Sequence, residues 1–229
     1  MLVNSPTGLP ALDVAPWRLS GQVVGVLMND PAALAALGEA VHAAPYKAPP
    51  KAPVLYVKPR NTLQPSDGPV VLPAGVETLE LGAALGLVIG RTACRVSEAQ
   101  ALAHVAALLP VAELSVPHTS FYRPSVRFKA LDGSCRLGRP VPLGDVDPDA
   151  LDLRVMVDDV PAQIATTARF QRHAARLLAD VSAFMTLHPG DVLLTGVAFG
   201  APIVRAGQRA CVVLAGVGTL DLTFVQEAA

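Results

Sequence analysis

An excess of charge of either sign is missing from this chain: 18 lysines and arginines stand against 19 aspartates and glutamates, for a net charge of −1 with no run of like charges. Nothing in that balance suits a phosphate backbone or an anionic membrane surface, so neither nucleic acid nor membrane is expected among its partners. The three cysteines, Cys94, Cys135 and Cys211, are odd in number and widely spaced, which matches neither a disulfide framework nor a C-x-x-C zinc pattern. All three are read as structural. The five histidines form no H-x-x-x-H or H-E-x-x-H array and are read as surface or packing residues. The uncharged apolar stretch at 81–90 falls far short of the ~20 residues that a membrane-spanning helix requires. Residues 1–16 lack a basic segment followed by an apolar one, so no secretory signal is expected and a cytoplasmic location is. G-x-G-x-x-G and G-x-x-x-x-G-K-[ST] are both missing, which removes the commonest phosphate-cradling loops.

What is present is a long apolar chain punctuated by proline. At 229 residues and 52% apolar content it can bury a full core, and it reads as one large domain over 22–229 behind an N-terminal extension over 1–21. Its 21 prolines exceed the usual ~5% and favour extended segments and turns. Three helices are expected. Asn29-Asp30-Pro31 supplies a cap and a first-turn proline for 31–44, and Ser97 with Gln100 reads as a capping box for 98–109, ended by Pro110. The third, over 167–185, carries a core stripe from Phe170 to Phe184. Short β-rich runs fall at 23–27, 54–57, 85–89, 153–157, 192–195, 210–214 and 219–225. Strands outnumber helices without regular alternation, so a mainly β, α+β domain is expected rather than a doubly wound fold.

Three stretches carry chemistry. Between Tyr46 and Thr62, prolines 49, 50, 53 and 59 stiffen the chain around a short apolar strand, so Lys58, Arg60 and Asn61 leave its end in defined directions, as half of an anion pocket would require. Lys47 and Lys51 fit a solvated loop equally well. Alternation over 126–129 suggests a strand with Arg127 and Lys129 on one face, turning at Asp132-Gly133. Pro189-Gly-Asp-Val-Leu-Leu-Thr-Gly places the Thr195 hydroxyl and Gly196 amide at a strand tip, where an oxyanion can be approached closely.

Taken together, Lys58-Pro-Arg-Asn, Val88-Ile-Gly, Lys129 with Asp132-Gly133, and the 189–196 motif resemble the fumarylacetoacetate hydrolase superfamily over about residues 22–225. Ala44-Pro-Tyr-Lys-Ala-Pro-Pro-Lys, Lys58-Pro-Arg-Asn-Thr and Ser120-Phe-Tyr-Arg-Pro resemble, within it, the N-terminal-half type of the bifunctional isomerase/decarboxylases of 4-hydroxyphenylacetate degradation. The resemblance implies a β-roll of mixed sheets with a helical lid, and Mg2+ or Mn2+ held by three carboxylates. It also implies decarboxylation of 5-carboxymethyl-2-oxo-hex-3-ene-1,7-dioate and isomerisation of 2-hydroxyhepta-2,4-diene-1,7-dioate. The ligand would be a 2-oxo dicarboxylate or tricarboxylate, and the assembly a homodimer or a hetero-oligomer with a C-terminal-type subunit.

The sequence departs from that family's metal pattern. Gly82 and Ala84 stand where a Glu-x-Glu pair is the rule, leaving Glu113 as a partial metal site, and Glu80 is a possible substitute on the face of Gly82. The lid histidine is missing too: Asn29-Asp30 stands in its place, with Asp30 a helix cap and Glu39 on the helix beyond. The expected site therefore comprises Lys129 and Glu113 as catalytic groups, with Lys58, Arg60, Asn61, Arg123, Thr195 and Gly196 holding substrate. Three functions remain open on the sequence: a decarboxylase/isomerase subunit, a non-catalytic partner subunit, and a related 2-oxo acid hydrolase.

Overall fold

The computed structural model describes residues 2–4, 10–12, 21–66, 68–119 and 125–228. Numbering strands along the chain, nine form a mixed sheet in the order β4 (Val54–Lys58), β3 (Val23–Leu27), β13 (Val192–Val197), β7 (Leu79–Ile89), β8 (Val105–Ser115), β9 (Cys135–Leu137) and β5 (Leu63–Pro65). In that sheet β10 (Val141–Pro142) joins β8 and β14 (Ile203–Val204) joins β7. A second sheet runs β12 (Val160–Thr166), β11 (Asp152–Val157), β15 (Arg209–Leu214), β16 (Gly218–Gln226) and β6 (Val70–Leu72). Strands β1 (Leu2–Asn4) and β2 (Pro10–Leu12) pair with each other. The four α-helices among the described residues are short: α1 (Pro31–Ala35), α2 (Glu98–Ala101), α3 (Val126–Lys129) and α4 (Ala174–Ser182). The expected mainly β, α+β architecture is the observed one.

The long antiparallel pair β7–β8 is buried on both faces. Side chains alternate along a strand, so Leu79, Leu81, Ala83, Leu85 and Leu87 enter the main core, where they meet α4 and the inner face of the five-stranded sheet. The opposite face carries Ala84, Val88, Leu109 and Val111 into a smaller cluster with Val192 and Leu194. Each fully buried Leu or Val contributes roughly 1.5–3 kcal/mol relative to exposure.

Four sequence expectations are corrected. The helix over 98–109 stops at Ala101, a 3-10 turn covers Leu102–His104, and Val105 opens a strand instead. A strand buried on both faces reads as a continuous apolar run, which local periodicity does not separate from a buried helix. Pro110 then sits inside β8 opposite Leu85. Its carbonyl accepts from the Gly138 amide at 2.9 Å, so its nitrogen faces the same side, the gap between β10 and β9 where no ladder donor is needed. Residues 126–129 form the single turn α3 rather than a strand, with the amides of Phe128 and Lys129 both bonded to the Ser125 carbonyl. This exposes Arg127 and turns Lys129 inward. The helix over 31–44 reduces to α1 and a 3-10 turn, Gly38–Val41, because α1 buries no residue that packing would reward. Likewise α4 ends at Ser182, leaving Phe184 69% exposed and outside the core stripe.

Arg136 on β9 is 2% exposed and clamps the chain beyond β5, donating to the carbonyls of Gly133 (3.0 Å), Pro65 (3.3 Å) and Pro69 (2.6 Å). Arg136→Met retains the stem but orphans these acceptors, and is expected to lower unfolding stability by about 3 kcal/mol or more in a urea titration.

Candidate active site

In the β7–β8 ladder Glu80 faces Ser115, Gly82 faces Glu113 and Ala84 faces Val111, and these six positions share one face. A cavity of about 460 Å³ opens over it. Its apolar wall includes Val26 and Leu27 at the end of β3, Ala36 and Leu37 beyond α1, and Val197 and Phe199 at the end of β13. Facing that wall are Glu80, Glu113, Ser115, His118 and Lys129, with Tyr56 beside them.

Glu113 is the electrostatic centre. Lys58 Nζ donates to its Oε1 at 3.0 Å and Lys129 Nζ to its Oε2 at 2.7 Å. Lys58 is fully buried and also donates to Ser134 Oγ at 3.1 Å and to the Lys129 carbonyl, so its three donors meet three acceptors. Lys129 differs. Its side chain keeps 12% exposure toward the cavity, Glu113 is its only side-chain hydrogen-bond partner among the described residues, and its Nζ lies 4.9 Å from the Tyr56 ring centroid. Burial pushes the Glu113 carboxyl up, but the ammonium groups of Lys129 and Lys58 outweigh burial and hold it below its ordinary value. Burial raises Glu80, with Lys129 and His118 offsetting only part of the effect. Burial, then the nearby Glu113 charge, lifts the Tyr56 hydroxyl well above its ordinary range, and burial pushes the Cys135 thiol up to about 12.

Of the residues anticipated from sequence, Lys58, Glu113 and Lys129 come together here. Arg60 is exposed on the 3-10 turn Arg60–Thr62 and is not part of the cavity lining. Asn61 ties its turn to the loop after α3, donating to the Ala130 carbonyl (3.0 Å) and Asp132 Oδ1 (2.6 Å). Thr195 is buried within β13, its hydroxyl 3.4 Å from the Leu85 carbonyl. Gly196 follows with φ +119° just before the cavity wall, and Arg123 lies outside the described residues. Asp30 caps α1 through the Ala32 amide (3.0 Å) and also accepts from the Phe199 amide (2.9 Å). Asn29 donates to the Thr195 carbonyl at 2.7 Å and accepts from the Arg172 amide at 2.9 Å, so the pair fastens the cavity's rim.

Tyr56, Ser115 and His118 were not anticipated. Alternation within Val-Leu-Tyr-Val-Lys would have put Tyr56 and Lys58 on one face, and β8, had it been read as a strand, would have done the same for Glu113 and Ser115. His118 stacks on Phe128 with ring centroids 5.3 Å apart, a packing role at the cavity's edge.

The donor set does not fit Mg2+ or Mn2+. Gly82 and Ala84 offer no side-chain oxygen, both Glu113 oxygens already accept from ammonium groups, and no group of three His, Cys, Asp or Glu residues converges among the described residues.

The mixed sheets and this β7–β8 face define a protein of the fumarylacetoacetate hydrolase type. The family described as fumarylacetoacetate (FAA) hydrolase C-terminal matches residues 22–225, and the chain belongs to it. The 4-hydroxyphenylacetate degradation bifunctional isomerase/decarboxylase of Escherichia coli is 37% identical over 209 residues, which cover 91% of this chain and 48% of that protein. The chain thus spans about half the length of the curated relatives it matches. Among solved structures, the 5-carboxymethyl-2-hydroxymuconate delta-isomerase of Mycobacterium smegmatis superposes with a TM-score of 0.76 at 27% identity, covering 92% of this chain and 81% of that one. The fumarylpyruvate hydrolase of Pseudomonas aeruginosa, solved with Mn2+ and pyruvate, shares the fold with a TM-score of 0.79 at 23% identity, covering 96% and 91%. No helix among the described residues is long and apolar enough to cross a membrane.

The two carboxyl groups predict opposite pH dependences. Glu113 is depressed in the fold, so its stabilisation is present above its ordinary value of 4.5 and lost as pH falls through the lower folded value. Glu113→Gln is expected to remove that acid-side loss and to cost about 3–5 kcal/mol at neutral pH, because the buried Lys58 and the partly buried Lys129 lose their counter-charge. Glu80 is raised, so it favours the fold at low pH and that contribution fades as pH rises from 4.5 through the higher folded value. Glu80→Gln is therefore expected to raise Tm at neutral pH. Thermal melts from about pH 3 to about pH 8 check both signs.

Proposed function

We propose that this chain is one half of a decarboxylase/isomerase system of 4-hydroxyphenylacetate (homoprotocatechuate) catabolism, acting on 5-carboxymethyl-2-oxo-hex-3-ene-1,7-dioate and 2-hydroxyhepta-2,4-diene-1,7-dioate. It works with a C-terminal-type subunit that carries the full carboxylate triad and the divalent ion. The observation that carries this reading is Lys129, whose ammonium group is bonded to Glu113 in the lining of a cavity of about 460 Å³, in a chain that matches half of the E. coli relative. Losing CO2 leaves an electron pair that must flow into the 2-oxo group, and fixed cations hold the remaining carboxylates while it does so. Lys129 supplies one such cation here, and the Ser115 hydroxyl is a hydrogen-bond partner on the same face.

Gly82 and Ala84 favour a second reading, in which the chain is a non-catalytic partner that binds ligand or supports the assembly. The two are separated by following ultraviolet absorbance of the tricarboxylate with the purified chain, with its C-terminal-type partner, and with both, in Mg2+ and after chelation. The first reading expects co-purification and turnover by the pair that exceeds that of the partner alone. Equal rates with and without this chain select the non-catalytic reading, and chelator-sensitive turnover by this chain alone removes both. Lys129→Ala is expected to weaken binding of a multi-carboxylate ligand by about 1.5–3 kcal/mol in calorimetry, and an unchanged affinity would take Lys129 out of the site.

A further inference from the structure

The Tyr56 hydroxyl is a buried donor that the fold does not use. It is shielded from water and has no hydrogen-bond partner among the described residues. Buried polar side chains are nearly always paired, and an unpaired hydroxyl costs free energy that a phenylalanine of the same shape would not incur. The backbone makes room for this ring: Gly25 pairs with Tyr56 between β3 and β4, and a Cβ on Gly25 would overlap the Tyr56 Cζ and hydroxyl oxygen. The ring reaches over β3 to pack against the cluster that contains Ala84 and Leu194, and it lines the cavity with Glu113 and Lys129. Lys129 Nζ stands over its face, 4.9 Å from the centroid. Burial and the Glu113 charge hold the hydroxyl well above its ordinary range, so it keeps its proton at neutral pH and serves as a donor.

We propose that Tyr56 is a ligand-binding residue of this cavity, its hydroxyl donating to the 2-oxo oxygen of a 2-oxo acid whose adjacent carboxylate pairs with Lys129. The carboxylate draws the flexible Lys129 stem from over the ring, which uncovers the hydroxyl for the neighbouring oxygen. A neutral donor then meets the charge that develops on the 2-oxo oxygen, while the ammonium group balances the carboxylate. The inference rests on the reading that this cavity holds a 2-oxo dicarboxylate or tricarboxylate. To that reading it adds the residue that tells such a ligand from a plain carboxylate of the same length.

The test is calorimetry of the full chain with 2-oxoheptanedioate and with heptanedioate, which lacks the oxo oxygen, alongside thermal melts. Tyr56→Phe is expected to weaken 2-oxoheptanedioate at least fivefold and heptanedioate less than twofold. Its Tm is expected to be no lower than that of wild type, because no bond within the fold is lost. Lys129→Ala is expected to weaken both ligands. If Tyr56→Phe binds 2-oxoheptanedioate as wild type does, or weakens both ligands equally, while Lys129→Ala still weakens both, the inference falls and the reading beneath it stands. A lowered Tm or a failure to fold in Tyr56→Phe would also overturn the inference, by showing that the hydroxyl holds the fold. No binding of either ligand by wild type, or unchanged binding by Lys129→Ala, would overturn the reading and the inference with it.

Discussion

The interaction on which the rest of the site depends is the Glu113 carboxylate held between Lys58 and Lys129. A charge removed from water is tolerated only with close partners and with its remaining hydrogen bonds satisfied. Meeting that requirement ties four separate pieces of chain together: the end of β4 through Lys58, the middle of β8 through Glu113, the end of α3 through Lys129, and the approach to β9 through Ser134. No one of them can move without leaving a charge or a donor unpaired. The triad therefore fixes the floor of the cavity as firmly as apolar packing fixes its walls.

Around that floor, polar residues that look functional in sequence serve as fasteners. Asp191, within the Pro189-Gly-Asp motif, accepts from the Gln22 amide at 2.8 Å and the His188 amide at 2.7 Å, joining the start of β3 to the start of β13. Asn29 and Asp30, which stand where the family's lid base is expected, hold the α1 entrance to the end of β13. Family membership and fold are thus retained by a chain whose cationic centre is built from lysine. What separates it from a three-carboxylate site is local: a glycine and an alanine on β7, and two lysines on Glu113.

Much of the fold was legible in the sequence because its strands obey local rules. The runs at 23–27, 54–57, 153–157, 210–214 and 219–225 lie within β3, β4, β11, β15 and β16, and the last three alternate buried and less buried residues, as a sheet with one solvated face requires. β8 was not legible, because burial on both faces erases alternation and alanine and leucine favour helix. Lys129 was singled out with the wrong local structure, since a four-residue turn is decided by what its end can reach rather than by its own pattern. Tyr56 escaped notice because packing aromatics and site aromatics have the same sequence signature.

By itself, then, the sequence determined the fold class, the family and the loss of carboxylates at 82 and 84, because apolar periodicity and residue identity are local properties. Only the tertiary structure decided that Lys58 and Lys129 converge on one carboxylate, that Arg60 and Asn61 stand apart from the cavity, and that Val197 occupies the space beside Gly82. These outcomes depend on the register between strands and on which face each strand turns inward. Register is set jointly by burial, bulges and cross-strand contacts from residues far apart along the chain, and no short stretch of sequence carries it.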